Sequence, residues 1–186
     1  MVIPQPKISE YIDQLLQVLE RGNPSDRPIA ARRLGDLGPQ ARHTIPQLLQ
    51  LLPKADEETQ IAIETTLYRL GTPPPGSAKL LLNALASPSP LARGYAARMF
   101  ANRTPPLPAP EVPSLLQRIR EFPRDIQQNL LTAIAGLDDG VACAQLMQLA
   151  LTTQPPFQDD VIFSLYNCTP DARMTPTLIE FFVIAS

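Results

Sequence analysis

A hydrophobic pattern that returns about every 33 residues limits the folds open to this chain. One row of apolar positions follows spacings of 33, 33, 34 and 31 residues, and it comprises Leu34, Leu67, Phe100, Ile134 and Leu165. A second row keeps the same spacings and comprises Ala30, Ile63, Ala96, Leu130 and Val161. Two rows that repeat in step, with the period of a helix pair, predict a stack of helical hairpins.

The positions of the prolines agree with this pattern. The chain contains 22 prolines in 186 residues, more than twice the roughly 5% of average proteins. They gather in clusters such as 73–75 and 105–110, between segments such as 9–21 whose apolar residues recur with helical spacing. Proline is tolerated between helices and in their first turns. Since no segment alternates apolar and polar residues as a strand does, the sequence predicts an all-α fold.

Residues 27–38, RPIAARRLGDLG, carry a family resemblance. They resemble the second helix of a HEAT repeat, in the short bacterial form found in phycobilin lyase subunits. An arginine, two alanines and an apolar residue return at matching positions in 93–100. The resemblance covers residues 8–168, although Gln127 and Gln158 replace the arginine in the last two repeats. It implies a right-handed α-solenoid of about five HEAT-like helix pairs followed by a C-terminal helix.

The predicted organisation is a single HEAT-like repeat domain over residues 1–186. We expect its helix pairs at residues 8–38, 44–71, 77–103, 110–138 and 140–168. A C-terminal helix is expected at 175–185, and its apolar run FFVIA needs cover from the fifth repeat or from a partner subunit. Because Gly38 and Gly71 follow second helices, they are expected to end helices in a left-handed conformation and not to form a phosphate loop.

In HEAT-like solenoids the second helices line a concave face that binds partners, and the resemblance implies such a face here. Counting forward from the buried positions gives the predicted partner-binding residues, Arg32, Arg33, Asp36, Arg69, Tyr95, Arg98, Asn102 and Asn129. The first half of this face is basic, whereas the second half is neutral to acidic, with Asp159 and Asp160. Since arginine pairs well with carboxylates, we expect a partner protein with an acidic patch. The alternative is a set of solvated helix residues without a partner.

Three further sets of residues have a functional and a structural interpretation. Arg27 and Arg93, in first turns, are expected to form structural hydrogen bonds to a neighbouring turn or repeat. His43 is the single histidine, so we expect a surface residue and neither a histidine-based zinc site nor a triad. Cys143 and Cys168 lie at the two ends of the fifth helix pair, which an antiparallel hairpin brings together. The functional interpretation is a redox pair or a thiol that handles an electrophile such as a bilin. The core position of Cys168 favours the structural interpretation, two small buried apolar side chains.

These features together predict a non-catalytic protein–protein interaction module, an adaptor or assembly factor, with no cofactor and no metal. The net charge of −2 and the absence of tryptophan argue against a HEAT-like nucleic-acid binder or DNA glycosylase, which needs a basic groove and stacking residues. The remaining alternative, implied by the resemblance, is a phycobilin lyase-like or phycobilisome-handling factor that works with a partner subunit.

The cysteine content and the N-terminus favour a cytoplasmic protein. Two cysteines in 186 residues exclude a disulfide-rich scaffold and indicate a reducing compartment. The first residues, MVIPQPKISEYIDQ, lack the apolar run of a signal peptide. Since no stretch of about 18 uninterrupted apolar residues is present, we expect no membrane-spanning segment and no membrane partner.

Overall fold

The computed structural model describes residues 5–137 and 139–168, and this part of the chain folds into ten α-helices without a strand. The helices are α1 (Gln5–Arg21), α2 (Arg27–Asp36), α3 (Ile45–Leu51), α4 (Glu57–Leu70), α5 (Ala78–Leu85), α6 (Pro90–Ala101), α7 (Val112–Arg118), α8 (Arg124–Ala135), α9 (Gly140–Thr152) and α10 (Phe157–Leu165). Short 3-10 segments occupy Gly38–Thr44, Leu52–Lys54, Ala109–Glu111 and Ile119–Glu121. The predicted all-α class is confirmed, and the helix predicted at 175–185 lies outside the described residues.

The chain divides between residues 96 and 97 into two compact units. The single repeat domain over residues 1–186 stays a prediction. In the first unit α1 packs on α2, and α2 packs along α4. In the second unit α8, α9 and α10 pack against one another. Each of the five predicted repeats contains two helices, so α2, α4, α6, α8 and α10 are the second helices of their pairs. Second helices of successive pairs therefore pack together within each unit.

The two apolar rows of the sequence form the cores of these units. Leu34 and Leu67 in the first unit, and Phe100 and Ile134 in the second, are completely buried. All five members of the second row are buried as well. Leu165, near the end of α10, is the exception because it is only half-buried. Burial of these residues supplies the main stabilising contribution to each unit.

The helices α2 and α4 approach closely because α2 carries a glycine at their contact. A Cβ atom on Gly35 would lie 3.1 Å from Thr66 Oγ1 and 3.2 Å from Arg69 Cδ, which is tighter than ordinary van der Waals contact. On the same side the Thr66 hydroxyl donates a hydrogen bond of 2.7 Å to the Ala31 carbonyl. This glycine and this buried hydrogen bond together fix α2 against α4.

Glycine with a positive φ follows two of the helices, although the ψ of −142° at Gly71 differs from the left-handed helical value that the sequence predicts. Gly38 follows α2 with a φ of 54°, and Gly71 follows α4 with a φ of 81°. A Cβ atom would meet nothing within 4 Å at either position. The positive φ, and not a lack of space, therefore accounts for glycine at these two positions.

One hydrogen bond recurs at the start of every second helix, from a side chain in the first turn to a preceding backbone carbonyl. The donors and acceptors are Arg27 Nε to Gly22 O at 3.1 Å, Gln60 Nε2 to Ala55 O at 2.9 Å, Arg93 Nη1 to Ser87 O at 2.8 Å, Gln127 Nε2 to Phe122 O at 2.8 Å and Gln158 Nε2 to Ala150 O at 2.9 Å. We call these five bonds the hairpin clasps. The structural role predicted for Arg27 and Arg93 is confirmed. Glutamine is the donor in the other three pairs, and Gln158 differs in that its acceptor lies eight residues earlier, inside α9.

Removing one hairpin clasp is expected to lower stability without changing the fold. In Gln127→Ala the part-buried Phe122 carbonyl loses its donor, so the free energy of unfolding falls by about 1 kcal/mol. Gln127→Arg recovers most of this loss, because arginine forms the same bond at Arg27 and Arg93. Urea unfolding followed by circular dichroism measures both variants. An arginine variant as unstable as the alanine variant would contradict a role for the donor.

Candidate partner-binding surface

The predicted polar residues of the first unit lie on two adjacent second helices. Arg32, Arg33 and Asp36 are exposed on α2, and Arg69 is exposed on α4. Each helix buries its apolar row on the other side, so the polar residues are left facing solvent. The structure thus brings these four residues to one pair of packed helices.

Carboxylates neutralise most of the positive charge that the sequence predicts for this surface. Arg32 Nη2 lies 3.2 Å from Glu58 Oε1, and Arg69 Nη1 lies 2.9 Å from Asp36 Oδ1. All four side chains are more than half exposed, so each pair contributes at most about 1 kcal/mol to stability. Arg33 is exposed and forms no ion pair with the described residues. The positive charge predicted for this unit is therefore reduced but not abolished: the surface carries two weak ion pairs and, in Arg33, one guanidinium without an ion pair among the described residues.

Three large apolar side chains are exposed on the same two helices, and the predicted set of polar residues omits them. Ile29 on α2 is 52% exposed, while Ile61 and Tyr68 on α4 are 54% and 38% exposed. Ile29 precedes Arg32 by about one turn, and Ile61 follows Glu58 by the same distance, so helical spacing could have placed both on this face. We call the combined set the α2/α4 surface; it comprises Ile29, Arg32, Arg33, Asp36, Glu58, Ile61, Tyr68 and Arg69.

Tyr95 is wrongly placed on the exposed face by the sequence pattern. It is completely buried, its hydroxyl donates to the Gly71 carbonyl at 3.4 Å, and its ring centroid lies 5.8 Å from that of Tyr68. Burial raises the pKa of this hydroxyl well above its usual range. The counting failed because α6 buries a wide arc, with Ala92 and Met99 buried as well as the apolar rows. Tyr95 therefore supports the exposed Tyr68 from within the core and does not itself face a partner.

The other three predicted residues lie in the second unit. Arg98 and Asn102 are exposed at the end of α6, one turn apart. Asn129 is half-buried on α8, because it lies next to the buried Leu130 and turns partly toward the core. The structure therefore places Arg98 on α6, Asn102 just after the end of α6 and Asn129 on α8, where Asn129 is less accessible than the sequence predicts.

An ion pair between Arg124 and Asp160 links α8 to α10. The sequence does not predict this pair, because its pattern assigns Asp160 to the acidic half of the groove. Arg124 donates two hydrogen bonds of 3.0 and 3.1 Å to the carboxylate of Asp160, and Gln128 donates a third of 3.1 Å. The Asp160 side chain is only 13% exposed. The hydrogen bond from Arg124 holds the pKa of the Asp160 carboxyl below its usual range, although burial acts in the opposite direction. Of the predicted acidic pair, only Asp159 is exposed.

Two further titratable residues, His43 and Asp56, lie outside the α2/α4 surface. His43 is exposed in the 3-10 segment before α3. The Asp56 carboxylate accepts hydrogen bonds of 2.9 Å from the backbone N–H and from the hydroxyl of Thr59, which cap α4 and lower the pKa of Asp56. Within residues 5–137 and 139–168, no group of three or more His, Cys, Asp or Glu side chains is placed to hold a metal ion.

Cys143 and Cys168 form a disulfide, with their Cα atoms 6.0 Å apart. Cys143 is buried in the first turn of α9, and Cys168 is half-buried just after α10. The favoured interpretation, two separate buried apolar side chains, is therefore wrong, because the hairpin does bring the two sulfurs together. Disulfides persist mainly in oxidising compartments, so a cytoplasmic location stays a prediction.

Comparisons of this chain with protein-family models, with curated proteins and with solved structures give no match. Among the helices that the structure describes, none is both long enough and apolar enough to cross a membrane. A functional assignment therefore rests on the residues and contacts given above.

Proposed function

We propose that this chain is a HEAT-like α-solenoid and a non-catalytic protein–protein interaction module, an adaptor or assembly factor whose partner binds the α2/α4 surface. Two observations support the repeat architecture. The apolar rows with a period of about 33 residues are buried, and a hairpin clasp is present in all five helix pairs. Helix pairs of one design, each with an apolar side to bury, are suited to stacking on their neighbours.

The observation that carries the binding proposal is the mixture of side chains on the α2/α4 surface. Ile29 and Ile61 are more than half exposed beside weak ion pairs. Protein interfaces commonly combine apolar anchors with a polar rim. The Thr66–Ala31 hydrogen bond and the close contact at Gly35 hold α2 against α4. A partner therefore meets a preorganised surface, which reduces the entropy lost on binding.

The charges on this surface favour a partner that presents carboxylates beside apolar side chains. Arg33 forms no ion pair with the described residues, so an acidic group can pair with it without displacing another. Partner carboxylates can also replace Glu58 or Asp36, because exposed ion pairs exchange at little cost. The proposed partner is thus a protein with an acidic patch around apolar residues, bound less tightly as salt rises.

Affinity capture from the source organism tests this proposal. The bait is the wild-type chain, the surface variant Arg33→Glu/Ile61→Ser, or the control variant Arg21→Glu/Tyr11→Ser. The control makes the same change of charge and removes an exposed apolar side chain on α1, the first helix of its pair. We expect one dominant protein with the wild-type and control baits, and about tenfold less of it with the surface variant.

Two results would contradict the proposal. One is recovery of the same protein in equal amounts with the surface variant, which would assign binding to another part of the chain. The other is the absence of any dominant protein with the wild-type bait. Since the substituted residues are exposed, the free energies of unfolding of the three baits, measured with urea, are expected to agree within about 0.5 kcal/mol.

A further inference from the structure

Two aromatic rings at the end of α10 are largely uncovered. Phe163 is 73% exposed and Tyr166 is 84% exposed, the highest values among the large apolar side chains that the structure describes. Their ring centroids lie 6.3 Å apart in an edge-to-face arrangement. Leaving two such rings in water forgoes the stabilisation that burial gives, so their exposure calls for an explanation.

The backbone that carries these rings is held in place. On the inner side of α10, Val161 and Ser164 are buried against the rest of the second unit. At the end of the helix the Tyr166 N–H donates to the Phe163 carbonyl at 3.3 Å. Two residues later, the disulfide from Cys168 ties the chain to α9. The rings are therefore presented by a fixed helix end.

An exposed carboxylate lies beside the rings. The helix α10 has Asp159 and Asp160 in its first turn and no basic residue in its last turn. Two cations lie near the start of the helix: Arg124 donates two hydrogen bonds to Asp160 and also attracts Asp159, and Arg120 lies over the aromatic ring of the first residue of α10. Asp159 is exposed one turn before Phe163 and accepts no hydrogen bond from the described residues. A cation is thus attracted both by this carboxylate and by the faces of the rings.

The area of the patch favours a short segment over a second copy of this chain. The exposed parts of Phe163 and Tyr166 amount to about 300 Å², judged from the usual area of aromatic side chains. A stable protein dimer needs about 800 Å² on each partner. In a two-fold dimer through this patch, Asp159 would also lie near its own copy, which is unfavourable.

We propose that Asp159, Phe163 and Tyr166 form a docking site for a short linear segment of a protein, in which lysine or arginine stands next to apolar residues. The basic side chain lies over the rings and pairs with Asp159, while the apolar neighbours cover the ring edges. This site lies in the second unit and goes beyond the proposed function, because its partner chemistry is opposite to that expected at the α2/α4 surface. The two proposals can therefore fail separately.

Nuclear magnetic resonance titration of the full chain with two synthetic peptides tests this site. One is a ten-residue peptide that contains arginine and leucine among glycine and serine, and the other has glutamate in place of arginine. We expect the arginine peptide to shift the signals of α10 and to bind at least about tenfold more tightly than the glutamate peptide. Phe163→Ser/Tyr166→Ser is expected to weaken binding about tenfold and Asp159→Asn about threefold.

The control variant is Gln148→Ser, an exposed position on α9 that is expected to leave binding unchanged. Equal affinity for both peptides, or wild-type affinity in Phe163→Ser/Tyr166→Ser, would overturn the proposal. Signals of residues 169–186 that shift in this variant without peptide would also overturn it, because the chain itself would then cover the rings. Unchanged circular dichroism of the variants ensures that a loss of binding reports on the site and not on folding.

Discussion

Leu67→Ala is expected to lower the free energy of unfolding by about 2–5 kcal/mol. Leu67 is completely buried on α4, in the row of apolar residues that fills the core of the first unit. Alanine leaves a cavity that the packed helices α2 and α4 close only in part, because the Thr66–Ala31 hydrogen bond and Gly35 fix their separation. Urea unfolding followed by circular dichroism measures the loss.

Thr65→Ala is the control, since it truncates a side chain to alanine at an exposed position two residues earlier on α4. Its stability is expected to stay within about 0.5 kcal/mol of that of the wild-type chain. Ile134→Ala, at the corresponding buried position of α8, is expected to lose as much as Leu67→Ala. If Leu67→Ala proved as mild as the control, the repeat period would not identify the core.

Reduction of the Cys143–Cys168 disulfide is expected to lower the free energy of unfolding by about 3 kcal/mol, from the entropy of the loop that it closes. The bond joins residues 25 positions apart and ties the end of α10 to the start of α9. The measurement is urea unfolding with and without an excess of a dithiol reductant. Reduction is expected to destabilise the second unit most, because the bond links the helices α9 and α10 of that unit.

Cys168→Ser is the control for this experiment, because it removes the bond at the half-buried cysteine and leaves the buried Cys143 in place. This variant is expected to match the reduced wild-type chain and to be insensitive to reductant. A thiol assay that counts two free thiols in the native, unreduced chain would contradict the pairing. So would a wild-type unfolding midpoint that reductant leaves unchanged.

The helical fold could be predicted from the sequence because a simple physical requirement leaves a visible pattern. Each hairpin must bury one side, so apolar residues such as Leu34 and Leu67 return at a fixed spacing and are indeed buried. The role of Arg27 and Arg93 could be predicted from their place in the first turn. The matching role of Gln60, Gln127 and Gln158 could not, because glutamine is common on helix surfaces and the position of its backbone acceptor depends on how the chain folds before the helix.

The candidate surface could be predicted only in outline, because side-chain pairing depends on how helices pack. Spacing places Arg32 and Arg69 on exposed faces, but their carboxylate partners lie 26 and 33 residues away on another helix. The predicted exposure of Tyr95 was wrong because α6 buries a wider arc of its surface than one apolar row predicts. The Cys143–Cys168 bond could not be predicted with certainty, because it depends on the separation of the two Cα atoms. This separation is 6.0 Å in the structure, and no sequence spacing specifies it.

The most direct test of the interaction-module proposal is the dissociation constant of the captured partner, measured by calorimetry alongside the urea midpoint of the same samples. With Arg33→Glu/Ile61→Ser we expect the constant to rise by about tenfold or more while the midpoint stays that of the wild-type chain. A constant within about twofold of the wild-type value, in a variant that remains folded, would contradict binding at the α2/α4 surface.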